Sequence, residues 1–418
     1  MVINNTKKSF SNIIDAVLKH KVFGIIIFLI IIWLIFQATF GLGYYPMIWL
    51  EKLILLIESC ISGHLTDSMF KSLLLDGIIK GVGGVVVFLP NIIILFTLLS
   101  FIEETNYMSR VVFIMDKIMK PFGLNGRSFI SLFMGFGCNV PAIMSAQNIK
   151  NKNTRIITIL INPLIPCSSR FTVYVLFISA FFANNPGTLL FAIYTLTVII
   201  ALLTSLILKK FFYKKTHELH NFNFPEYKIP SIKNVIKSMW FNAILFLKKI
   251  SGAILIASII IWFLSYFPHN NSKSNIEISY ISKIGKIIEP VIEPLGFDWK
   301  MGVSILSGIA AKETIVGTLS ELYQDEIHSN KEKNKFINKL HEQTYKSGKK
   351  TGKKIFTPLV ALSFIVFISL YTPCVATLAA IRKTTGSLKL TMFVIIYTIA
   401  IAWLFSFITF QIGNIFWN

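Results

Sequence analysis

Long apolar stretches separated by short polar segments run along most of this chain. Nine of them have the length or composition of membrane spans, at residues 22–40, 83–102, 128–146, 155–183, 188–212, 242–267, 301–319, 356–381 and 390–413. A helix needs about 20 apolar residues to cross the hydrocarbon core of a bilayer. The pattern therefore predicts an all-α polytopic membrane protein.

Two shorter segments mix charges with apolar residues, at 46–60 and 110–120. Each is predicted to form an amphipathic helix that lies in the membrane interface. The first apolar stretch, 22–40, is too long and uninterrupted for the core of a signal peptide, and no small-residue cleavage site follows it. It is predicted to be a retained span.

The stretch 128–146 contains the run Gly135-Phe136-Gly137-Cys138-Asn139-Val140-Pro141-Ala142-Ile143. Two glycines and a proline within nine residues disfavour a continuous helix. Because a membrane segment must pair its backbone groups internally, such a break is expected only where it lines a cavity. A broken helix carrying polar side chains at membrane depth is typical of a transporter site.

Composition and charge support a membrane protein. Hydrophobic residues make up 54% of the chain, and the mean hydropathy is +0.66. The net charge of +21 comes from Lys residues that cluster between spans, at 7–21, 209–237 and 331–354. Such clusters set membrane orientation and mark cytoplasmic segments. No nucleic-acid-binding motif accompanies the charge, so nucleic acid is not expected as a partner.

Counting the spans predicts a re-entrant segment. If all nine crossed the membrane, the Lys-rich loop 209–237 would lie outside the cell. If 128–146 instead enters and returns on the same side, eight crossings leave both Lys-rich loops and both termini cytoplasmic. The alternative is that 46–60 also crosses the membrane. The loop 209–237 would then be cytoplasmic without any re-entrant segment. The charges and short length of 46–60 favour the re-entrant solution.

The chain also carries a weak internal repeat. Residues 121–127 resemble residues 294–300, and a gapless extension aligns Ser131 with Ser304, Gly135 with Gly308, and Cys138-Asn139-Val140 with Ala311-Lys312-Glu313. Further along, Pro166-Cys167 resembles Pro373-Cys374. Both halves thus place a broken apolar segment before a Pro-Cys span. This predicts a duplicated transporter with its site where the two halves meet.

The candidate ligands lie at these breaks. Cys60, Cys138, Cys167 and Cys374 form no CxxC pair, and a disulfide framework is not expected in such a chain. A single membrane Cys is usually a small apolar residue, but three beside helix breakers favour ligands for a transition metal. The predicted metal ligands are Cys138, Asn139, Met144, Cys167, Glu313 and Cys374. The residues predicted to shape the path or gate are Gly135, Gly137, Pro141, Pro166, Ser168, Arg170, Lys312 and Pro373.

Several of these residues have a second interpretation. The glycines and prolines could serve close packing alone. Arg170 in an apolar span either faces an aqueous cavity or a partner, or snorkels to the surface. Glu313 is a candidate metal ligand or proton carrier, and Lys312 is a candidate counter-charge for it.

No nucleotide-binding loop and no protease, hydrolase or kinase signature occurs, so no enzymatic activity is expected of this chain. The hydrophilic segment 325–354 is expected to be a solvated cytoplasmic loop, with partner or lipid head-group contact as the alternative.

Several motifs resemble the ferrous iron transport protein B family. They are GLNGRSF at 123–129 with GFGCNVPAIM at 135–144, GIIKGVGGVVVFLPNIIILF at 77–96, EETNYMSRVVFIMDKIM at 103–119, SGIAAKETIVGTLSELY at 307–323 and LYTPCVATLAAIRKTTGS at 370–387. The resemblance implies a permease of the cytoplasmic membrane that imports Fe²⁺, as substrate and with no resident cofactor, between two gate repeats. It implies an N-terminal segment at 1–21, a first span and amphipathic helix at 22–76, gate repeats at 77–183 and 242–381 with a cytoplasmic loop at 320–355, a span with a Lys-rich loop at 184–241, and a last span at 382–418.

The chain departs from the family pattern in three places. Phe171-Thr172 follows Arg170 where the family has Leu-Pro, and Ser145-Ala146-Gln147 replaces a more usual Ala-Thr-Arg. Only about twenty residues precede the first span, where family members carry a GTPase domain. A GTPase is therefore expected on a separate or removed segment, and homo-oligomerisation is left open. Transport of another divalent metal or a nucleoside, and a non-transporting membrane scaffold, are the alternative functions.

Overall fold

The fold is built from helices, many of them interrupted. The computed structural model describes residues 23–64, 68–79, 83, 86–87, 89–183, 185–212, 227–228, 230–268, 279–323, 340–341, 343–344 and 352–417. The helices are α1 Phe23–His64, α2 Met69–Ser72, α3 Leu89–Glu104, α4 Met108–Met119, α5 Gly126–Gly135, α6 Asn139–Ser145, α7 Lys152–Ile161, α8 Ser168–Phe181, α9 Pro186–Phe212, α10 Ile232–Tyr266, α11 Tyr280–Ile292, α12 Trp299–Ala310, α13 Thr314–Leu322, α14 Pro358–Leu370, α15 Val375–Thr385 and α16 Leu388–Trp417. A π-helical stretch, Leu73–Ile79, continues α2. The all-α prediction is confirmed.

The first helix corrects a prediction. The sequence predicted that 22–40 and 46–60 form two separate helices, but α1 runs unbroken from Phe23 to His64 with Pro46 inside it. The nearby glycines do not end the helix. A Cβ on Gly43 would collide with the side chain of Asn91 on α3, so this glycine permits close helix packing. Pro46 removes one backbone hydrogen bond, which a long helix tolerates.

The stretch around the first break folds into a helical hairpin, α5 followed by α6. The Asn125 side chain caps α5 by accepting a hydrogen bond from the Ser128 amide, at 2.9 Å. The Ser131 hydroxyl donates to the Ala142 carbonyl across the hairpin, at 2.7 Å. At its open end, Arg127 Nη1 donates to the Asn148 carbonyl, also at 2.7 Å. The chain therefore reverses at 136–138, as the re-entrant prediction requires.

The second half forms a matching hairpin, α12 followed by α13. The prediction that 301–319 is one of eight crossing spans is therefore wrong, because this segment reverses at 311–313. Asp298 caps α12 by accepting from the Met301 amide at 2.9 Å, and its other oxygen accepts from the Tyr323 hydroxyl at 2.7 Å. Lys300 Nζ donates to the Leu322 carbonyl at 3.0 Å, which ties the two ends together. In the gapless alignment Asp298 corresponds to Asn125 and Lys300 to Arg127. The acceptor Leu322 lies one residue beyond the position that corresponds to Asn148. The structure thus confirms the internal repeat.

Each hairpin is preceded by the same turn. Lys120–Phe122 and Glu293–Leu295 form short 3₁₀ helices, and each ends at a glycine in the left-handed region, Gly123 with φ 74° and Gly296 with φ 86°. Residues with a Cβ rarely adopt this conformation. The glycines therefore set the direction in which each hairpin starts.

Each hairpin is followed by a span with a non-helical break near its middle. The breaks lie between α7 and α8 and between α14 and α15. Among the described residues, five stretches are long and apolar enough to cross a membrane: Ile26–His64, Lys152–Phe181, Pro186–Phe211, Pro358–Thr385 and Leu388–Phe416. The α14–α15 stretch is 83% buried and the α16 stretch only 22%. The broken span is therefore central, and the α16 stretch leaves much of its apolar surface exposed.

Aromatic contacts join the two halves at the core. Phe177 of α8 lies 5.0 Å from Phe364 of α14, and Phe364 lies 5.4 Å from Phe297 before α12, measured between ring centroids. All three belong to one buried cluster. The two halves therefore share a core, as a site between them requires.

Some predictions fall on other parts of the chain. The segment 1–21 and most of the hydrophilic segment 325–354 lie outside the described residues, as does much of 209–237. Residues 110–119 of the segment 110–120 are helical within α4, and the depth of this segment in the membrane stays a prediction. The membrane side of each loop and of both termini also stays a prediction.

Candidate functional site

Four helix breaks of the described chain meet between the two halves. They are residues 136–138 and 311–313 at the tips of the hairpins, and 165–167 and 371–374 within the broken spans. The Ser168 amide and hydroxyl both donate to the Gly137 carbonyl, at 3.2 and 2.8 Å. In the second half, Lys312 Nζ donates to the Thr372 carbonyl at 2.5 Å. Each hairpin tip thus contacts the break in its own span.

Three cysteines occupy the same kind of position at these breaks. Cys138, Cys167 and Cys374 are the N-cap residues of α6, α8 and α15, and none of them caps its helix through a side-chain hydrogen bond. All three are only partly buried, whereas Cys60 is exposed on α1. The fold therefore places each thiol at the start of a half-helix. Cys374 Sγ lies 3.2 Å from the Thr377 hydroxyl.

The structure brings four of the predicted ligands into one region. The Cys138 thiol lies within electrostatic range of Cys167, Cys374 and Glu313. The Glu313 carboxyl lies near Ser169, two residues after the second cysteine. Within the described residues, no three His, Cys, Asp or Glu side chains lie close enough together to hold one metal ion.

Lys312 is buried at the tip of the second hairpin, with 2% of its surface exposed. Its ammonium lies 3.1 Å from the centre of the Tyr371 ring and donates to the Thr372 carbonyl. A desolvated ammonium over an aromatic face is stabilised by cation–π attraction. The predicted role of Lys312 as a counter-charge for Glu313 stays a prediction.

Arg170 is fully buried, so the snorkelling alternative is wrong. Its guanidinium donates to the carbonyls of Ser369 at 2.6 Å, Tyr371 at 3.1 Å and Pro163 at 3.2 Å. Two of these acceptors lie at the end of α14, and the third lies in the 3₁₀ turn Asn162–Leu164 that follows α7. Helix ends leave carbonyls without intrahelical partners, and a planar guanidinium with five donors satisfies several at once. Arg170 therefore links the two halves at their breaks.

Two asparagines of the first half leave buried oxygens facing the same small space. Asn139 Nδ2 donates to the Ile165 carbonyl at 3.4 Å, and Asn162 Nδ2 donates to the Ser131 carbonyl at 3.2 Å. Their Oδ1 atoms have no hydrogen-bond partner among the described residues. A Cβ on Gly135 would lie 3.0 Å from Asn162 Oδ1 and 3.2 Å from Asn139 Oδ1.

The remaining predicted residues shape the breaks. Pro141 lies in the first turn of α6, where its missing N–H has no helical partner to lose. Pro166 and Pro373 each precede a cysteine in a non-helical segment. Met144 lies more than one turn beyond Cys138 and packs against the main core.

Sequence reasoning did not assign roles to Asn162 or Tyr371. Each of these polar residues lies in an apolar span, close to a proline that interrupts the helix, at Asn162-Pro163 and Tyr371-Thr372-Pro373. This pattern could have identified both residues.

Comparison with known proteins identifies the family. The model described as "Nucleoside recognition", the Gate domain, matches residues 85–181 and 247–388, and the model described as "Ferrous iron transport protein B C terminus" matches residues 190–242. The chain belongs to the ferrous iron transport protein B (FeoB) family. The two Gate matches correspond closely to the two hairpin-and-span repeats of the structure.

Curated relatives agree with this FeoB assignment. The chain is 40% identical to the "Fe(2+) transport protein A/Fe(2+) transporter FeoB fusion protein" of Porphyromonas gingivalis, covering 98% of this chain and 52% of that protein. It is 39% identical to the "Fe(2+) transporter FeoB" of Campylobacter jejuni, covering 99% and 66%, and 38% identical to that of Staphylococcus aureus, covering 98% and 60%. The FeoB-family chain thus spans about half to two thirds of the length of these relatives. No solved structure matches it.

Proposed function

We propose that this chain is the permease part of a ferrous iron importer, through which Fe²⁺ crosses the cytoplasmic membrane. Fe²⁺ is the substrate, and no resident cofactor or enzymatic activity of this chain is part of the proposal. The observation that carries it is the placement of three thiols and a carboxyl group at the four helix breaks between the repeats. The names of the relatives, each an Fe²⁺ transporter, support the same substrate.

The ligand chemistry fits a borderline divalent metal. Fe²⁺ accepts thiolate, carboxylate and carbonyl ligands, and binding a metal to cysteine displaces the thiol proton. Cys138, Cys167, Cys374 and Glu313 are proposed to contact the ion in sequence rather than as one closed cage. Sites for transport must be weak enough to release the ion, and a row of partial sites satisfies that need.

The two halves are proposed to move relative to each other at the breaks. Gly137, Ser168 and Lys312 make the contacts between hairpin tips and broken spans, so changes in these contacts would open the path on one side. Both termini and both Lys-rich loops are proposed to be cytoplasmic. A GTPase on a separate or removed segment is proposed to regulate the path. The name of the Porphyromonas gingivalis relative, a fusion with an Fe(2+) transport protein A, suggests such a protein as a further partner.

Nucleoside transport is the second candidate, because the matching Gate model is described by nucleoside recognition. Transport of Mn²⁺ or Zn²⁺ is the third. Three thiols at the breaks favour a metal over a nucleoside, since thiols are soft metal ligands.

Uptake into proteoliposomes separates these candidates. The 418-residue chain is reconstituted under anaerobic, reducing conditions, and ⁵⁵Fe²⁺ uptake is measured alone and in the presence of excess Mn²⁺, Zn²⁺ or uridine. Saturable ⁵⁵Fe²⁺ uptake that uridine does not inhibit supports the proposal. Uptake of labelled uridine without ⁵⁵Fe²⁺ uptake would replace iron by a nucleoside, and stronger uptake of another metal would replace the ion.

A further inference from the structure

We propose that the first repeat holds a monovalent alkali cation, such as Na⁺, between the carboxamide oxygens of Asn139 and Asn162 over Gly135. Its ligands are amide oxygens, whereas the groups proposed to contact iron are thiols and a carboxyl group. Both asparagines are buried, with exposed fractions of 3% and 0%. Both Oδ1 atoms lack a hydrogen-bond partner among the described residues.

The orientation of each carboxamide is fixed by its own amide group. Asn139 Nδ2 faces the Ile165 carbonyl and Asn162 Nδ2 faces the Ser131 carbonyl, so turning either group over would place two oxygens together. The oxygens therefore point into the space beside Gly135, where a Cβ would lie within 3.2 Å of each. Burying a polar atom without a partner is costly, so this arrangement calls for a ligand that interacts favourably with oxygen.

The internal repeat indicates that this ligand is a cation. In the gapless alignment Asn139 corresponds to Lys312, and the Pro-Cys motifs align Ile165 with Thr372. The same contact occurs in both halves: Lys312 Nζ donates to the Thr372 carbonyl, and Asn139 Nδ2 donates to the Ile165 carbonyl. The second half thus has a tethered positive charge at its hairpin tip. The first half has a neutral amide there and two oxygens that need a partner.

The ligand set favours one positive charge over two. Neither asparagine is a carboxylate, whereas sites for Ca²⁺ and Mg²⁺ in proteins usually contain carboxylates. The Arg170 guanidinium also donates to the Pro163 carbonyl, next to Asn162, and would repel a divalent ion more strongly than a monovalent one. Hard oxygen ligands therefore select an alkali cation, while the soft thiols nearby select a transition metal.

A cation at this position would hold the hairpin against the broken span. Asn139 is on the hairpin and Asn162 is in the span, so an ion that contacts both stabilises the conformation in which they are close. Under the proposed iron transport, an Na⁺ gradient would then change how often the path adopts the conformation in which hairpin and span are close. This coupling rests on the proposed function, but the binding of the cation does not.

Binding of ²²Na⁺ to the purified 418-residue chain in nanodiscs, without iron, tests the site. The matched variants are Gly135→Ala, which places a methyl group in the space, and Asn162→Leu, which removes the oxygen at similar size. The control is Gly317→Ala, a helical glycine in the second hairpin whose added Cβ meets nothing within 4 Å. The wild type and the control should bind ²²Na⁺ saturably, and the other two should bind at least about tenfold more weakly.

A lack of saturable ²²Na⁺ binding by the wild type, together with no Na⁺-dependent rise in its melting temperature, would overturn the proposal in favour of a buried water. Unchanged binding in folded Gly135→Ala protein would also overturn it. Displacement of ²²Na⁺ by K⁺ or Li⁺ supports the monovalent assignment, and displacement by stoichiometric Mg²⁺ contradicts it. Because no iron is present, failure here leaves the proposed iron transport untouched.

Discussion

Replacing Arg170 tests whether the two halves are held together at their breaks. Arg170→Met keeps a long side chain but removes the guanidinium. It breaks hydrogen bonds to the carbonyls of Ser369, Tyr371 and Pro163, at 2.6, 3.1 and 3.2 Å. Because Arg170 has no exposed surface, water does not replace these donors directly.

The expected loss follows from the three bonds. Hydrogen bonds between membrane helices contribute about 0.6 kcal/mol each on average, and bonds from a charged donor in soluble proteins about 1.5–3 kcal/mol. Three bonds therefore set a lower estimate of about 2 kcal/mol for the loss of unfolding free energy. The substitution also removes the cost of burying the Arg170 charge, so the measured loss is smaller than the sum of three strong hydrogen bonds would give.

Arg127→Met is the matched control. Arg127 also donates to a backbone carbonyl, that of Asn148 at 2.7 Å, but it is exposed. Its replacement should change the unfolding free energy by no more than about 0.5 kcal/mol. Arg170→Lys should fall between wild type and Arg170→Met, because a lysine keeps the charge without the planar fork of donors.

Equilibrium unfolding in bicelles, followed by steric trapping, measures the difference for all three variants. Equal losses for Arg170→Met and Arg127→Met would refute the view that Arg170 links the halves. Wild-type stability of Arg170→Lys would show that the charge matters and the directed hydrogen bonds do not.

Two further substitutions test the repeated hairpins. Gly126→Ala should lower the melting temperature strongly or prevent folding, because its Cβ would collide with the Val112 carbonyl, whereas Gly187→Ala at the start of α9 should be neutral since its Cβ meets nothing within 4 Å. Equal melting temperatures for these two variants, measured by fluorescence-detected size-exclusion chromatography, would contradict the close approach of α4 and α5. Asp298→Asn should reduce the pH dependence of stability: burial raises the pKa of the Asp298 carboxyl, so its contribution is present at low pH and is lost as pH rises through that pKa. Melting curves between acidic and neutral pH that keep the wild-type pH dependence in Asp298→Asn would show that another group is responsible.

The sequence predicted the duplicated architecture because this architecture depends on short motifs and on the number and length of the apolar spans. Lysine clusters and span lengths favoured a reversal of one segment over a crossing by 46–60, and the glycines and proline around Cys138 indicated which segment reverses. The alignment of Cys138-Asn139-Val140 with Ala311-Lys312-Glu313 then predicted a break at the matching point of the second half. It did not predict that 301–319, which was counted as a crossing span, reverses there as well. The helix-capping residues and the glycines with positive φ occupy the same positions in both hairpins. The repeat could therefore be recognised from short sequence motifs.

Other features depend on contacts between distant residues. The sequence predicted separate helices at 22–40 and 46–60, but α1 runs through both, and Gly43 between them allows Asn91 to approach α1. The burial of Arg170 depends on carbonyls about 200 positions away. The convergence of Asn139 and Asn162 likewise depends on how the hairpin folds against the span. The sequence placed the ligands at breaks, but only tertiary packing determines which breaks meet.

The central claim is that iron passes the thiols at the helix breaks. The most direct measurement is the initial rate of ⁵⁵Fe²⁺ uptake into anaerobic proteoliposomes by Cys138→Ser, with the exposed Cys60→Ser as the matched control. We predict a fall of at least about tenfold for Cys138→Ser and wild-type uptake for Cys60→Ser, at equal protein incorporation. Wild-type uptake by Cys138→Ser would contradict a path through the first hairpin tip.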